Sequence, residues 1–396
     1  MSTVAAGRLA TFRRVASESG ALWACALACD RLLPFGVQRL WQPVHVAPAR
    51  LADQIARVLT SWGMPRDHVE TTVERMMYAD LRGIDSHGSS MLPFYQSLWL
   101  DGVLNPNPTI TVVQQTASTA LMDGGGGLGH VVAGLAMARA IDMARAGGVG
   151  VVAVRNSGHF GAAGAYAAMA AERGMIGLTT CSTPTPAVVP TFGRDPRLGT
   201  NPLSVAAPAA RQPPFLLDMA TSTVSRGKLL DRWRRGRGIP RGWALDADGA
   251  PVTSGHAALA LRRLTPLGGT PDGGSHKGYG LATAVEILSS VLPGLGDERT
   301  TDGRRARVGH FCLALDPARF GTLDGFPPRM DALIASLRDT PPVTPGQPVL
   351  VAGDPERTAL AERTANGIPL TKAAFEDLRA VARASRVPFV LDQAGG

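Results

Sequence analysis

Lysine is scarce in this 396-residue chain: Lys228, Lys277 and Lys372 stand among 40 basic residues, and arginine supplies the rest. Cysteine is scarce too, with four residues at positions 25, 29, 181 and 312. That is too few for a disulfide scaffold, and the spacing matches no zinc-ligand pattern, so no metal is expected. Reduced thiols in a cytoplasmic protein account for them. No apolar run approaches the ~20 residues a membrane-spanning helix needs, which excludes an integral membrane segment. Charged residues make up only 18% of the chain and hydrophobic ones 45%, which excludes intrinsic disorder. The length suffices for a large core and for two or three domains.

The net charge of +8 invites a nucleic-acid reading, but its distribution argues against one. Residues 1–50 carry six arginines against Glu18 and Asp30. Residues 226–241 carry Arg226, Lys228, Arg232, Arg234, Arg235, Arg237 and Arg241 against Asp231. The remainder is nearly neutral, and no nucleic-acid module accompanies either patch. With so much alanine, glycine and proline, the arginine excess reads as composition bias.

Three parts are expected. Residues 1–46 form an accessory extension: 21–33 is apolar and predicted helical, and Pro34 ends it. Cys25, Cys29 and Asp30 interrupt that run, which weighs against a secretory signal and leaves a contact with a partner or a membrane surface as the alternative role. Residues 47–115 and 270–396 read as a helical part, and 116–269 as an alternating one. Pro48 opens a helix with Leu51, Ile55, Val58 and Leu59 at helical spacing, and Gly63-Met64-Pro65 breaks it. A second helix runs from Asp67 to Leu81 and stops at Arg82-Gly83. Further helices are predicted over 91–100, 131–146, 161–173, 278–292, 330–337 and 372–384. Strands are predicted over 109–113, 119–122, 149–154 and 176–180. The alternation argues for an α/β or α+β fold.

Asp123 precedes the run Gly124-Gly125-Gly126-Gly127-Leu128-Gly129, which satisfies G-x-G-x-x-G between a strand and a helix. Two readings stand: a dinucleotide-binding fingerprint, or a turn whose glycines serve backbone geometry. The preceding strand is short, and Asp142, at the spacing of a ribose ligand, lies inside the helix. Both points weaken the first reading.

Other segments carry chemistry. Asp85-Ser86-His87-Gly88 places a histidine in a loop between two helices, where it can exchange a proton near neutrality or serve a structural role. Asn156-Ser157-Gly158-His159-Phe160-Gly161 follows a buried strand, and its glycines allow close approach to the backbone. Leu198-Gly199-Thr200-Asn201-Pro202 and Leu217-Asp218-Met219-Ala220-Thr221-Ser222 offer hydroxyls beside one carboxylate. Ser275-His276-Lys277-Gly278 opens a helix whose free N–H groups and lysine favour an anion. Each is weak alone.

Together, in this order from about Leu51 to Leu378, and with Ala79-Asp80-Leu81-Arg82-Gly83, Gly129-His130, Ile239-Pro240-Arg241-Gly242-Trp243 and Gly353-Asp354-Pro355-Glu356, they resemble the malate/L-lactate dehydrogenase family of the non-Rossmann type. That family includes ureidoglycolate and sulfolactate dehydrogenases, diketogulonate reductase and cyclic imino-acid reductases. The resemblance implies an oxidoreductase using NAD or NADP on a 2-hydroxy/2-keto or 2-imino acid. It also implies a homodimer with a mixed, largely antiparallel sheet in the cofactor domain. It implies His87 as general acid/base, aided by Ser86, with His159 as second candidate. Arg82 is a substrate-binding candidate. Thr183, Asp218, Met219, Ala220, Lys277, Gly278, Gly353, Asp354 and Pro355 match cofactor-binding positions. One departure stands out: Met91 occupies the place where relatives commonly carry a carboxylate-gripping arginine. It implies either a different substrate or a catalytically weak member acting as a binding or scaffold protein.

Overall fold

The computed structural model describes residues 43–234, 236–295, 307–321 and 325–392. The expected helix over 21–33, with Cys25 and Cys29, lies outside them, as does Arg235. The described chain opens with a short strand, β1 (Val44–Val46), then α1 (Pro48–Ser61) and α2 (Arg66–Leu81). Proline sits in the first turn of α1, where its missing N–H costs nothing, and Leu51, Ile55, Val58 and Leu59 line the buried face. Gly83, at φ +78°, turns the chain out of α2. A single 3₁₀ turn (Ser89–Met91) leads into α3 (Leu92–Leu100).

The middle of the chain builds a seven-stranded sheet. Its elements, in chain order, are β2 (Thr111–Gln115), β3 (Thr119–Asp123), α4 (Gly129–Gly147), β4 (Val149–Ser157), α5 (Gly164–Ala171), β5 (Ile176–Cys181), β6 (Leu203–Ala207) and β7 (Phe215–Met219). There follow α6 (Arg226–Arg234), α7 (Gly255–Leu261) and α8 (Ser275–Glu286), the last prolonged by a π turn (Ile287–Val291). β8 (Val308–Leu315) returns to the sheet, and α9 (Phe326–Arg338), α10 (Asp354–Asn366), β9 (Ile368–Leu370) and α11 (Lys372–Ala384) close the chain. The strand order is β2-β3-β4-β8-β5-β6-β7. Only β3 and β4 pair in parallel, and every other pairing in this sheet is antiparallel. The expected mixed, largely antiparallel sheet is therefore present.

α4 and α5 cover the sheet. Ala133, Ala136, Ala140 and Ala144 of α4 are fully buried, and such small residues let the helix approach the strands closely. A second core joins α1, α2, α3 and α11, and a third, smaller one gathers Val188, Leu229, Ile239 and Leu264.

Several boundaries differ from the sequence expectation. Two strands of the large sheet lie outside 116–269: β2, and β8, which is inserted at the centre between β4 and β5. β8 reads Val-Gly-His-Phe-Cys-Leu-Ala-Leu and is buried along most of its length, so it lacks the apolar/polar alternation that marks a half-exposed strand. β1 pairs antiparallel with β9, so Val44–Val46 is tied to the body rather than to the extension. α5 begins at Gly164 rather than at 161, because Gly161 adopts φ +73°.

Candidate active site

The loop after α2 is held from below. Asp80, 2% exposed, accepts the Ser89 N–H at 2.8 Å. A Cβ on Gly88 would overlap that carboxylate, so the glycine is what lets loop and carboxylate meet. Burial pushes the Asp80 carboxyl up to about 7. Arg363 of α10 donates to the Asp80 carbonyl at 2.6 Å and forks onto the Asp85 carboxylate. The turn thus fixed presents Ser86 and His87, with Ser86 Oγ 2.8 Å from His87 Nδ1.

His159 comes from the end of β4 and faces His87. The two rings stack with centroids 5.6 Å apart and planes 25° apart, and both side chains are half-buried. His159 Nδ1 accepts the Gly161 N–H at 3.2 Å and lies 2.7 Å from Tyr95 Oη. A nitrogen that accepts from a backbone N–H carries no proton, so the neutral ring holds its hydrogen on Nε2. Burial lowers the pKa of His87, and that of His159 further. Two more imidazoles lie behind them. Burial pushes both His130 and His310 down to about 3. His130 meets the Tyr95 ring edge-on at 5.4 Å, and His310 stacks on Phe160 at 4.8 Å.

The glycine run belongs to the scaffold of this site. It does lie in a βαβ unit, since β3, α4 and β4 form the parallel pair. Yet its faces are filled by protein. A Cβ on Gly124 would lie 2.9 Å from the Asn156 carbonyl, and one on Gly125 would lie 2.7 Å from the Thr109 carbonyl. Gly129 N–H donates to the His159 carbonyl at 3.1 Å, and Gly158 N–H to the Gly127 carbonyl at 2.8 Å. The dinucleotide-fingerprint reading is therefore overturned. The run seats the His159 loop, and its first helical N–H is taken by that loop.

The residues expected to hold a cofactor fall into connected groups. Thr183 Oγ1 and Asn201 Oδ1 are buried, lack hydrogen-bond partners among the described residues, and converge on Gly199. Asn201 has φ +36° and donates to the Ala282 carbonyl at 3.0 Å and to Glu286 at 2.9 Å. Thr221 joins this group through the Thr200 and Asn201 carbonyls. Leu267 N–H bonds the Thr221 carbonyl at 2.9 Å, and Gly278 packs on the Leu267 backbone. Lys277 is exposed in the first turn of α8. Asp218, at the end of β7, accepts the Gly164 N–H at 2.7 Å, and burial pushes its carboxyl up to about 6. It thereby caps the helix that follows the His159 loop; Met219 and Ala220 continue from it, half-buried. Gly353, at φ +99°, lies against Leu216 of β7. Asp354 bonds Arg338 at 2.7 Å, Arg357 and the Val351 N–H, so its carboxylate braces the start of α10; Pro355 beside it is exposed.

Arg82 does not point a free guanidinium at the histidines. It lies 3.8 Å over the Tyr78 ring, whose buried hydroxyl is pushed up to about 12. The basic helix α6 does reach the site: a Cβ on Gly227 would be 3.1 Å from Ser86 Cβ. Arg232 turns away, donating to the Gly238 carbonyl at 2.7 Å. Among the described residues no cluster of histidine, cysteine or carboxylate side chains suits a metal ion, and no helix is long and apolar enough to cross a membrane.

Tyr95, Asp80 and Gly227 were not singled out by sequence. The signals were present for two of them. Tyr95 follows Met91 by one helical turn, and Asp80 is a carboxylate on the buried stripe of Met76 and Met77.

A mixed sheet with a histidine pair beyond the end of its interior strand β4, and no Rossmann loop among the described residues, describes a distinct class of oxidoreductases. The profile of the malate/L-lactate dehydrogenase family matches residues 46–379, and the chain belongs to that family. It is 39% identical over 344 residues to a malate dehydrogenase of Pyrococcus abyssi, covering 86% of this chain and 94% of the relative. It is 36% identical over 345 residues to an L-sulfolactate dehydrogenase of Methanothermobacter thermautotrophicus, covering 86% and 97%. The crystal structure of malate dehydrogenase from Entamoeba histolytica superposes with a TM-score of 0.83 at 30% identity, covering 88% of this chain and 99% of that one.

Proposed function

We propose that the chain transfers hydride between a nicotinamide cofactor and C2 of a 2-hydroxy/2-oxo acid or its 2-imino analogue. The observation that carries this reading is the stacked His87–His159 pair, 5.6 Å between centroids, at the junction of the α2–α3 loop and the end of β4. In reduction, the carbonyl carbon receives two electrons as hydride and the oxygen receives one proton. His87 supplies that proton, and takes it back in oxidation. Ser86, 2.8 Å from its Nδ1, orients the ring. His159, with its hydrogen on Nε2, donates a hydrogen bond toward the same oxygen.

The bound cofactor supplies the hydride. The chain's residues fit such a group. Thr183 Oγ1 and Asn201 Oδ1 are buried polar atoms without partners among the described residues, and the exposed Lys277 ammonium suits a phosphate. Asp218, Met219, Ala220, Gly278, Gly353 and Pro355 line the same connected loops, and Asp354 holds Gly353 in place. A cytoplasmic setting accords with Cys181 and Cys312, both buried free thiols. A homodimer accords with the exposed Ile287, Val291 and Leu292 at the end of α8.

The test is a reductase assay on a panel of 2-oxo and cyclic imino acids with NADH and with NADPH, which also separates the two cofactors. Turnover that is lost in His87→Ala supports the reading. Cofactor binding without turnover of any acid would select the alternative, a catalytically weak member serving as a binding or scaffold protein.

A further inference from the structure

The face of α3 turned to His159 carries the Phe94 and Tyr95 rings, with the Tyr95 hydroxyl as its polar atom. Met91 has helical backbone angles, φ −85° and ψ −11°, so it leads directly into α3. Phe94 and Tyr95 follow it by three and four residues, and positions i, i+3 and i+4 share one helix face. Two of these three touch His159: the Phe94 ring meets it edge-on at 6.2 Å, and the Tyr95 ring is tilted against it at 5.8 Å. Met91 is half-buried and packs with the same cluster. Among the described side chains, Arg82 and Arg363 are committed elsewhere. Arg82 lies over Tyr78, and Arg363 holds Asp85 and the Asp80 carbonyl. The basic helix α6 reaches the loop at Ser86, through Gly227.

We infer that the acid taken by this site carries one carboxylate and an apolar side chain, which lies against Met91 and Phe94. This rests on the oxidoreductase reading above and names its substrate class. A second carboxylate lying against the Met91 and Phe94 side chains would lose its water there and meet neither the Arg82 nor the Arg363 guanidinium, which is unfavourable. An aliphatic or aromatic side chain gains burial there. The reaction remains balanced as before: hydride to C2, a proton to its oxygen.

The experiment compares kcat/KM of the whole enzyme for 4-methyl-2-oxopentanoate and phenylpyruvate with that for oxaloacetate and 3-sulfopyruvate. The apolar acids are expected to lead by about tenfold or more. Met91→Arg should shift that ratio by about tenfold or more toward oxaloacetate. Met91→Leu, which conserves volume, should keep the preference and shows that the position tolerates substitution. Oxaloacetate preferred by the wild type would overturn the inference and leave the oxidoreductase reading standing. So would a ratio unmoved in Met91→Arg while Met91→Leu is active. No reduction of any oxo or imino acid, despite cofactor binding, would overturn the reading itself.

Discussion

Tyr95 Oη lies 2.7 Å from His159 Nδ1, and the Gly161 N–H reaches the same nitrogen at 3.2 Å. Helix α3 and the β4 loop thus share one imidazole, and two donors fix its tautomer. Tyr95→Phe removes the hydroxyl donor and leaves the backbone one. The tautomer survives while the ring loses an anchor worth about 1–3 kcal/mol when buried. We expect kcat to fall about 10- to 100-fold with KM for the cofactor unchanged, measured by steady-state kinetics. An unaltered kcat would mean that Gly161 alone positions the ring.

On the proposed reading, the pH dependence follows His87. Burial lowers its pKa from 6.5, so at neutral pH the ring is mainly unprotonated. Oxidation of the hydroxy acid needs this neutral base, so kcat/KM in that direction should rise with pH through an apparent pKa below 6.5 and then level off. Reduction needs the protonated ring and should fall through the same pKa. His87→Ala should remove that limb and lower turnover about 10²–10⁴-fold. A profile with its acidic limb above pH 7 would assign the titration to another group.

The helices of the N-terminal part were legible because Leu51, Ile55, Val58 and Leu59 repeat at helical spacing and Pro48 and Gly83 mark ends. The central strand β8 was not: buried on both faces, Val308–Leu315 has no alternation to betray it, and it follows a long stretch after α8. β6 and β7 were not among the predicted strands. Both histidines of the site were legible as loop residues after regular elements. Their pairing was not, since His87 and His159 meet only through the packing of α2 and α3 on α4 and the β4 end. The glycine run was legible in the other direction, as a turn rather than a fingerprint. Its local pattern and its βαβ setting fit a fingerprint, the short strand and the place of Asp142 argue against one, and the filling of its faces by Thr109 and Asn156 adds the tertiary reason.

Asp80 makes stability depend on pH in an unusual sense. Its carboxyl is raised from 3.8 to about 7 by burial, so between those values the folded state binds a proton that the unfolded chain releases. The stabilising contribution of the protonated form is present below pH 4 and is lost as pH rises to about 7. Asp80→Asn keeps an acceptor for the Ser89 N–H and cannot ionise. The difference in Tm between Asp80→Asn and wild type should therefore grow in favour of the variant from pH 4 to pH 7, and flatten above. Asp80→Ala leaves that N–H without its acceptor and should cost about 1–3 kcal/mol in denaturant unfolding. A Tm difference independent of pH would show that Asp80 is ionised throughout.

Gly127 distinguishes a scaffold turn from a phosphate loop. A Cβ there would lie 2.5 Å from Pro108 Cγ, in the interior of the turn that receives the Gly158 N–H. Gly127→Ala should therefore act by overpacking, lowering stability by about 1–3 kcal/mol. Because the turn holds the His159 loop, kcat should fall with it. The KM for NADH and NADPH should stay within about twofold of wild type, since Pro108 and Thr109 already fill the faces of this turn. A large rise in the cofactor KM at unchanged stability would return the glycine run to the cofactor site.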